Sequence, residues 1–256
     1  MRFERAELVR RYAISLASLL AMLLGWEVFA RVGAYPAFIL PGPQDVLARF
    51  AAYSATGRLW PHVAATLQEV FFGFSLAFSL ACVLGYLIAH SRPLERAVLP
   101  VLVTAQALPI VAVAPLVILW FGFGITAKVL VCALISFFPM LISTVVGLRT
   151  IDPRLIEVGL IFGANRWQML SMVEVPLALR VFLGGVRVGL PLSVTGAVVG
   201  EFVAADQGLG YLINLGRGLF DTPLMFVALF ILATIALVLY EAVVLLEHVV
   251  TDDGQL

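Results

Sequence analysis

The chain is poor in charge, poor in cysteine and nearly without lysine. Only 12% of its 256 residues are charged, where a soluble domain carries about a quarter. Apolar residues make up 62%, which excludes the soluble globular class and leaves the integral membrane one. The formal net charge is zero, which argues against a nucleic-acid partner. The two cysteines, Cys82 and Cys132, both sit inside apolar runs. They read as small core residues, with no disulfide and no metal site between them. His62, His90 and His248 are far apart, at the ends of apolar runs, and read as interface anchors. Lysine occurs once, as Lys128, after Gly124-Ile-Thr-Ala. A phosphate-binding P-loop needs glycine directly before its lysine and Ser or Thr directly after it. Ala127 and Val129 fill those places, so any ATP that drives this protein is hydrolysed by another polypeptide.

What is abundant is long apolar sequence. A helix needs roughly 20 apolar residues to cross the hydrocarbon core. Six segments qualify: about Tyr12–Arg31, Val63–Ala89, Ala97–Trp120, Lys128–Leu148, Val181–Val203 and Pro223–Leu246. All six read as continuous helices. None alternates as a membrane β-strand would. The first follows Arg2, Arg5, Arg10 and Arg11 but is too long for a signal-peptide core, so a retained helix is expected. With the N-terminus inside, ten arginines fall on the inner side, against Arg31, Arg49, Arg58, Arg217 and Lys128 on the outer. The positive-inside rule then puts both termini in the cytoplasm.

On the outer side, Pro41-Gly-Pro43 is a rigid turn. Gln44 to Tyr53 follows as a short amphipathic helix with Val46, Leu47, Phe50 and Ala51 on one face. Asp206–Thr222, with four glycines, reads as a short helix or re-entrant turn.

Between the fourth and fifth spans lies a semi-polar island, DPRLIEVGLIFGANRWQMLSMVEVP, from Asp152 to Pro176. Asp152 is a good N-cap and Pro153 suits the first helical position. Gly163 can stop that helix in the left-handed conformation. Asn165 and Gln168 have the spacing of a capping box for a second helix, and Pro176 closes the island. Two capped helices on the inner face describe a docking element.

The spacing of Glu157, Gly163, Val173, Val175 and Pro176 resembles the "EAA" signature of ABC importer permeases. That signature is Glu-Ala-Ala, three residues, Gly, nine residues, Ile-x-Leu-Pro. Val158 and Gly159 stand where it has alanines, and the glycine costs about 1 kcal/mol in a helix relative to Ala. QALPIVAVAPLVILWFGFG, FFPMLISTVVGLRTIDPRLIEVG and LPGPQDVLARF are similar to the nitrate/sulfonate/taurine type of that family. The resemblance covers roughly residues 40 to 250. It implies an all-α, six-span membrane protein with the type I ABC importer permease fold. It also implies one permease domain over residues 1–256, with a core of about 60–250 and a coupling loop at 152–176. In the family the loop fits a cleft on the ATPase. Carried over by position, Arg154, Glu157, Gly163, Ala164, Asn165, Arg166, Trp167 and Pro176 form that contact or its hinge. The implied partners are ABC ATPase subunits that bind ATP and Mg, an extracytoplasmic solute-binding protein, a second permease copy and the lipid of the bacterial inner membrane. No cofactor is expected in this chain.

Ionisable residues inside spans need a reason. Glu69 lies two turns into the second span, and Glu201 ends the fifth. Both are candidates for the translocation pathway or its gate, with structural pairing as the alternative for Glu201. Arg187 reads as snorkelling, and Glu241 and Glu247 as meeting water. Pro109, Pro115, Pro139 and Pro191 can bend their helices, and Gly184, Gly185, Gly189 and Gly196 mark a close helix contact. An ion-gradient transporter would show an internal repeat with broken helices, and a membrane enzyme would show a nucleophile–base set or HExxH. Neither pattern is present. GAVVGEFVAADQGLGYLI looks more like the branch that imports thiamine pyrimidine precursors or riboflavin than the sulfonate branch.

Overall fold

A computed structural model of the chain describes residues 18, 20–33, 35–106 and 108–252, and all regular structure among them is helical. The helices are α1 (20–32), α2 (Pro43–Ala55), α3 (Leu59–Ala89), α4 (Arg92–Gln106), α5 (Ile110–Phe121) and α6 (Ile125–Arg149). They continue with α7 (Pro153–Ile161), α8 (Arg166–Gln168), a π-helical turn (Met169–Glu174), α9 (Val175–Ala204), α10 (Leu209–Leu219) and α11 (Thr222–Asp252). The beginning of the expected first span, Tyr12 to residue 17, lies outside the described residues.

The described chain divides into two compact units. The first holds the residues up to Trp60 together with Leu212–Phe230. In it the Trp26 ring stacks on Phe226 at 5.4 Å, Arg49 pairs with Asp221, and the Thr222 hydroxyl donates to the Phe38 carbonyl. Pro43 begins α2, and the Asp45 carboxylate accepts the Gly42 N–H at 2.9 Å. Of the amphipathic face expected there, only Val46 is buried, while Leu47 and Phe50 are exposed.

The second unit holds Pro61–Tyr211 and the chain from Ile231 onward. Its centre is the α6–α9 pair. Four glycines on α9 let the two backbones approach: a Cβ at Gly185, Gly189, Gly196 or Gly200 would sit 2.4 to 3.2 Å from atoms of α6. At Gly196 the obstacle is the Cys132 Cα itself, at 2.5 Å. The fourth glycine of the expected contact, Gly184, faces open space, and Gly200 takes its place. Small residues at such a contact supply the packing that lipid cannot drive. Gly196→Val is therefore expected to separate α6 from α9, and thermal unfolding of the detergent-purified protein should shift down by several degrees. Ala77, Ala81, Met140, Leu141 and Val186 form one core cluster, and Ala114, Val117, Ile118, Val131 and Val199 another.

Four described helices are long and apolar enough to span a membrane: Leu59–Ala89, Ile125–Arg149, Arg166–Val203 and Thr222–Val250. The expected third span is not one helix. It is the α4–α5 pair, bent by 101°. Pro109 causes the break, because it lacks an N–H, and it sits as the N-cap of α5 with extended backbone. Pro115, Pro139 and Pro191 lie inside helices that continue. Nor does Pro176 end a helix. The helix from Arg166 runs on through it to Val203. The widened π turn just before Pro176 accommodates the ring, which would otherwise meet the carbonyl four residues back.

Candidate functional site

The island folds as its caps direct. The Asp152 carboxylate accepts the Arg154 N–H at 2.9 Å and Pro153 opens α7. Gly163 sits at φ +75°. Its N–H donates to the Leu160 carbonyl and that of Ala164 to Gly159, both at 3.0 Å, which together form a Schellman stop. Asn165 and Gln168 then exchange two hydrogen bonds of 2.9 Å, a complete capping box. The knob between these caps has no buried residue in α7 or α8. Arg154, Glu157, Gly163, Asn165, Arg166, Trp167 and Pro176 are exposed and Ala164 is half-buried. Ile161, Phe162 and Trp167 are 82%, 86% and 78% exposed. These three large apolar side chains protrude from the knob with little of their surface covered. Gly159 also finds its reason, since a Cβ there would meet the Met169 methyl at 2.8 Å.

Three side-chain pairs join the helix ends on the side of the knob. His90 at the end of α3 contacts the Glu174 carboxylate at 2.9 Å, and Glu174, within the π turn, is 6% exposed. Arg149, the last residue of α6, pairs with Glu95 on α4. Arg187 pairs with Glu247 and lies 5.7 Å from the Tyr240 ring centre. Arg187 therefore has a protein partner in addition to any snorkelling, and Glu247 does not simply meet water. A cavity of about 610 Å³ opens between α3, α6, α9 and the knob, lined by residues including Phe78, Tyr86, Thr144, Trp167 and Phe182.

The opposite ends of α3, α6 and α9 hold a buried polar cluster. Lys128 on α6 donates to the Glu69 carboxylate on α3 at 2.5 Å. Glu201 on α9 accepts the Thr66 hydroxyl at 2.6 Å and the Gly210 N–H. Thr66 in turn accepts the Leu209 N–H at 2.9 Å, and His62 accepts the Gly208 N–H at 3.1 Å. Glu69, Thr66 and Glu201 are at most 1% exposed, and Lys128 is 7% exposed. The two carboxylates singled out in the sequence are thus brought together, with Lys128 between the chains that carry them. Lys128, Thr66 and His62 were missed as members. Lysine near the start of an apolar run was the available signal, because a lone ammonium there needs a partner. Gly208 has φ +125°, and a Cβ there would sit 2.2 Å from the Glu201 carboxyl carbon. The glycines of this loop are required by contact with that carboxylate as well as by the turn.

Residues 81–251 match the family model of the binding-protein-dependent transport system inner membrane component. The chain belongs to that family. It is 57% identical to the riboflavin transport system permease protein RibX of Chloroflexus aurantiacus over 231 residues, 90% of this chain and 86% of that protein. It is 35% identical to the formylaminopyrimidine transport permease protein ThiX of Halalkalibacterium halodurans, over 90% and 91% of the two chains. Identity to the putative aliphatic sulfonates permease SsuC of Bacillus subtilis is 33%, over 87% and 81%. An inward-facing structure of the MetNI methionine ABC transporter superposes with TM-score 0.67 at 20% identity, covering 75% of this chain and 97% of that one. The type I importer fold is therefore shared, and this permease is an ABC-transporter subunit of a bacterial inner membrane. The matched span contains the knob and both Lys128 and Glu201, while Glu69 lies before it.

Proposed function

We propose that this permease forms one transmembrane domain over residues 1–256, with its core at about 60–250, and that the loop 152–176 couples it to an ATPase subunit. That subunit binds and hydrolyses ATP with Mg, and this chain performs no covalent chemistry. Arg154, Glu157, Asn165, Arg166 and Trp167 form the contact, with Gly163, Ala164 and Pro176 setting its shape. The observation that carries this reading is the exposed apolar corner at Ile161, Phe162 and Trp167, held rigid by a Schellman stop and a capping box on either side. A segment that merely connected two spans would gain nothing from such exposure. Two copies enclose one pathway with both termini in the cytoplasm, surrounded by membrane lipid. An extracytoplasmic binding protein delivers the solute, and transport proceeds by alternating access. Glu69 and Glu201 belong to the gate at the outer end.

The solute class we favour is a flat, uncharged aromatic heterocycle such as riboflavin. The support is 57% identity to the riboflavin permease, against 33% to a sulfonate permease. The cavity beside the knob is lined by Phe78, Tyr86, Trp167 and Phe182 without a charged side chain, which suits a ring better than a sulfonate. The test is uptake into proteoliposomes that hold the permease, its ATPase and its binding protein. Riboflavin accumulation should require ATP inside the hydrolysing compartment and survive ionophores that collapse ion gradients. Accumulation that ionophores abolish and ATP does not drive would favour an ion-gradient transporter instead.

A further inference from the structure

The buried cluster contains two carboxylates and one ammonium, and only one of the two carboxylates is satisfied by neutral donors. Glu201 accepts from a hydroxyl and a backbone N–H. Glu69 has Lys128 on Oε1, while its Oε2 is buried with no hydrogen-bond partner. The two carboxyl groups are neighbours in the cluster, close enough to share a hydrogen bond when one of them is protonated. A lysine side chain is a point charge on a flexible four-carbon stem and can exchange partners without moving its backbone. Gly200 lies against that stem, since a Cβ there would be 3.3 Å from the Lys128 Cβ and Cγ.

Glu201 is also one of three acceptors that hold the first turn of α10. The N–H groups of Gly208, Leu209 and Gly210 go in succession to His62, Thr66 and Glu201. These groups come from α3 and α9, so the turn is clasped from two sides. Immediately after Tyr211 the chain leaves this unit for the other. If the turn withdraws, Glu201 loses the Gly210 donor, and a carboxylate buried without it is costly.

We propose that Lys128 is a two-position switch. With the clasp shut it pairs with Glu69, and with the clasp open it moves to Glu201 and replaces the donor that α10 has taken away. One ammonium thereby follows the loss of the Gly210 donor, and Glu69, given up in the open state, takes a proton so that no bare carboxylate stays buried, which is what a gate needs if neither state is to be prohibitively unfavourable. Glu69 serves as the resting place and Glu201 as the working one. Both act as positioning residues, for α10 and not for the solute. The switch rests on the ATP-driven alternating access proposed above.

The test uses two isosteric variants, Glu69→Gln and Glu201→Gln. Each removes one carboxylate charge and leaves one lysine facing one carboxylate, so a purely structural role moves both the same way. The switch requires opposite signs. In Glu69→Gln the resting place is gone, Lys128 stays with Glu201, and the clasp is biased open. ATP hydrolysis without binding protein should rise several-fold in the reconstituted complex. In Glu201→Gln Lys128 stays with Glu69, the amide oxygen still accepts from Gly210, and the clasp is biased shut. Hydrolysis should then remain at the basal level when loaded binding protein is added. Thr66→Val, which carries no charge change, removes the Leu209 acceptor and should behave like Glu69→Gln, which keeps the test decisive if either Gln variant is not recovered. Changes in the same direction for the two Gln variants, or a Thr66→Val complex that responds as wild type, would overturn the switch. Wild-type hydrolysis that ignores the binding protein would overturn the proposed function itself, and the switch with it.

Discussion

Gly163→Pro is expected to abolish uptake and binding-protein-stimulated ATP hydrolysis together. Gly163 has φ +75°, and proline is fixed near −65°. Its N–H donates to the Leu160 carbonyl, and proline has no N–H to give. Phe162, the C-cap of α7 at φ −76° and ψ 4°, would also be pushed away from this backbone conformation by a following proline. All three effects fall on the corner where Ile161, Phe162 and Trp167 protrude. The residue is exposed, and no atom lies within 4 Å of the place a Cβ would take, so insertion and packing of the long helices should survive. Gly163→Ala isolates the backbone term. It should cost about 1–2 kcal/mol for left-handed backbone and give a partial loss of coupling. The measurement is uptake and hydrolysis in the same vesicles, with size-exclusion profiles showing the variant is intact. A Gly163→Pro complex that still couples hydrolysis to uptake would contradict the assignment.

The second large effect concerns stability. Lys128→Met leaves the Glu69 and Glu201 carboxylates in one buried cluster without their cation. Removing one partner of a buried pair costs about 3–5 kcal/mol, because the charge left behind is uncompensated. The thermal midpoint of the purified permease should fall markedly. Lys128→Met/Glu69→Leu should recover much of the loss, since replacing both partners of a buried pair by apolar groups is often neutral and Glu201 keeps its Thr66 and Gly210 donors. A single variant as stable as wild type would mean that water or another group compensates the cluster.

The legible parts of the sequence were those governed by local chemistry. Asp152-Pro153, Gly163 and the Asn165–Gln168 pair each satisfy backbone groups within a few residues, so their caps could be read without knowing what surrounds them. The glycine contact on α9 was legible in Gly185, Gly189 and Gly196, because small residues at helical spacing mark a close helix contact, while Gly184 faces open space and Gly200 was not anticipated. What failed depended on partners far away in the chain. Glu69 and Lys128 are 59 residues apart, and Thr66 and Glu201 are 135 apart, so hydropathy could flag a costly residue but not its partner. Pro109 and Pro176 show the remaining limit. Proline says that a helix cannot continue in the ordinary way, but it does not say whether the chain bends by 101°, as at α4–α5, or widens into a π turn, as before α9. That choice is made by packing.

The knob and the clasp lie at opposite ends of the same helices. From Lys128 to Arg149 along α6 is about 32 Å at the helical rise of 1.5 Å per residue. Coupling over that length requires a rigid element with two arrangements. The glycine-packed α6–α9 pair supplies the rigidity, and the exchange of Lys128 between two carboxylates supplies the second arrangement.

We expect the corner at Phe162 to be gripped by a nucleotide-driven subunit. Phe162 replaced by cysteine, with Cys82 replaced by serine and Cys132 left buried, gives a single accessible thiol. Its labelling rate should be fast in the isolated permease, fall sharply when the ATPase subunit is bound, and change again when ATP is added. Equal labelling in the presence and absence of a bound, active ATPase would contradict the claim.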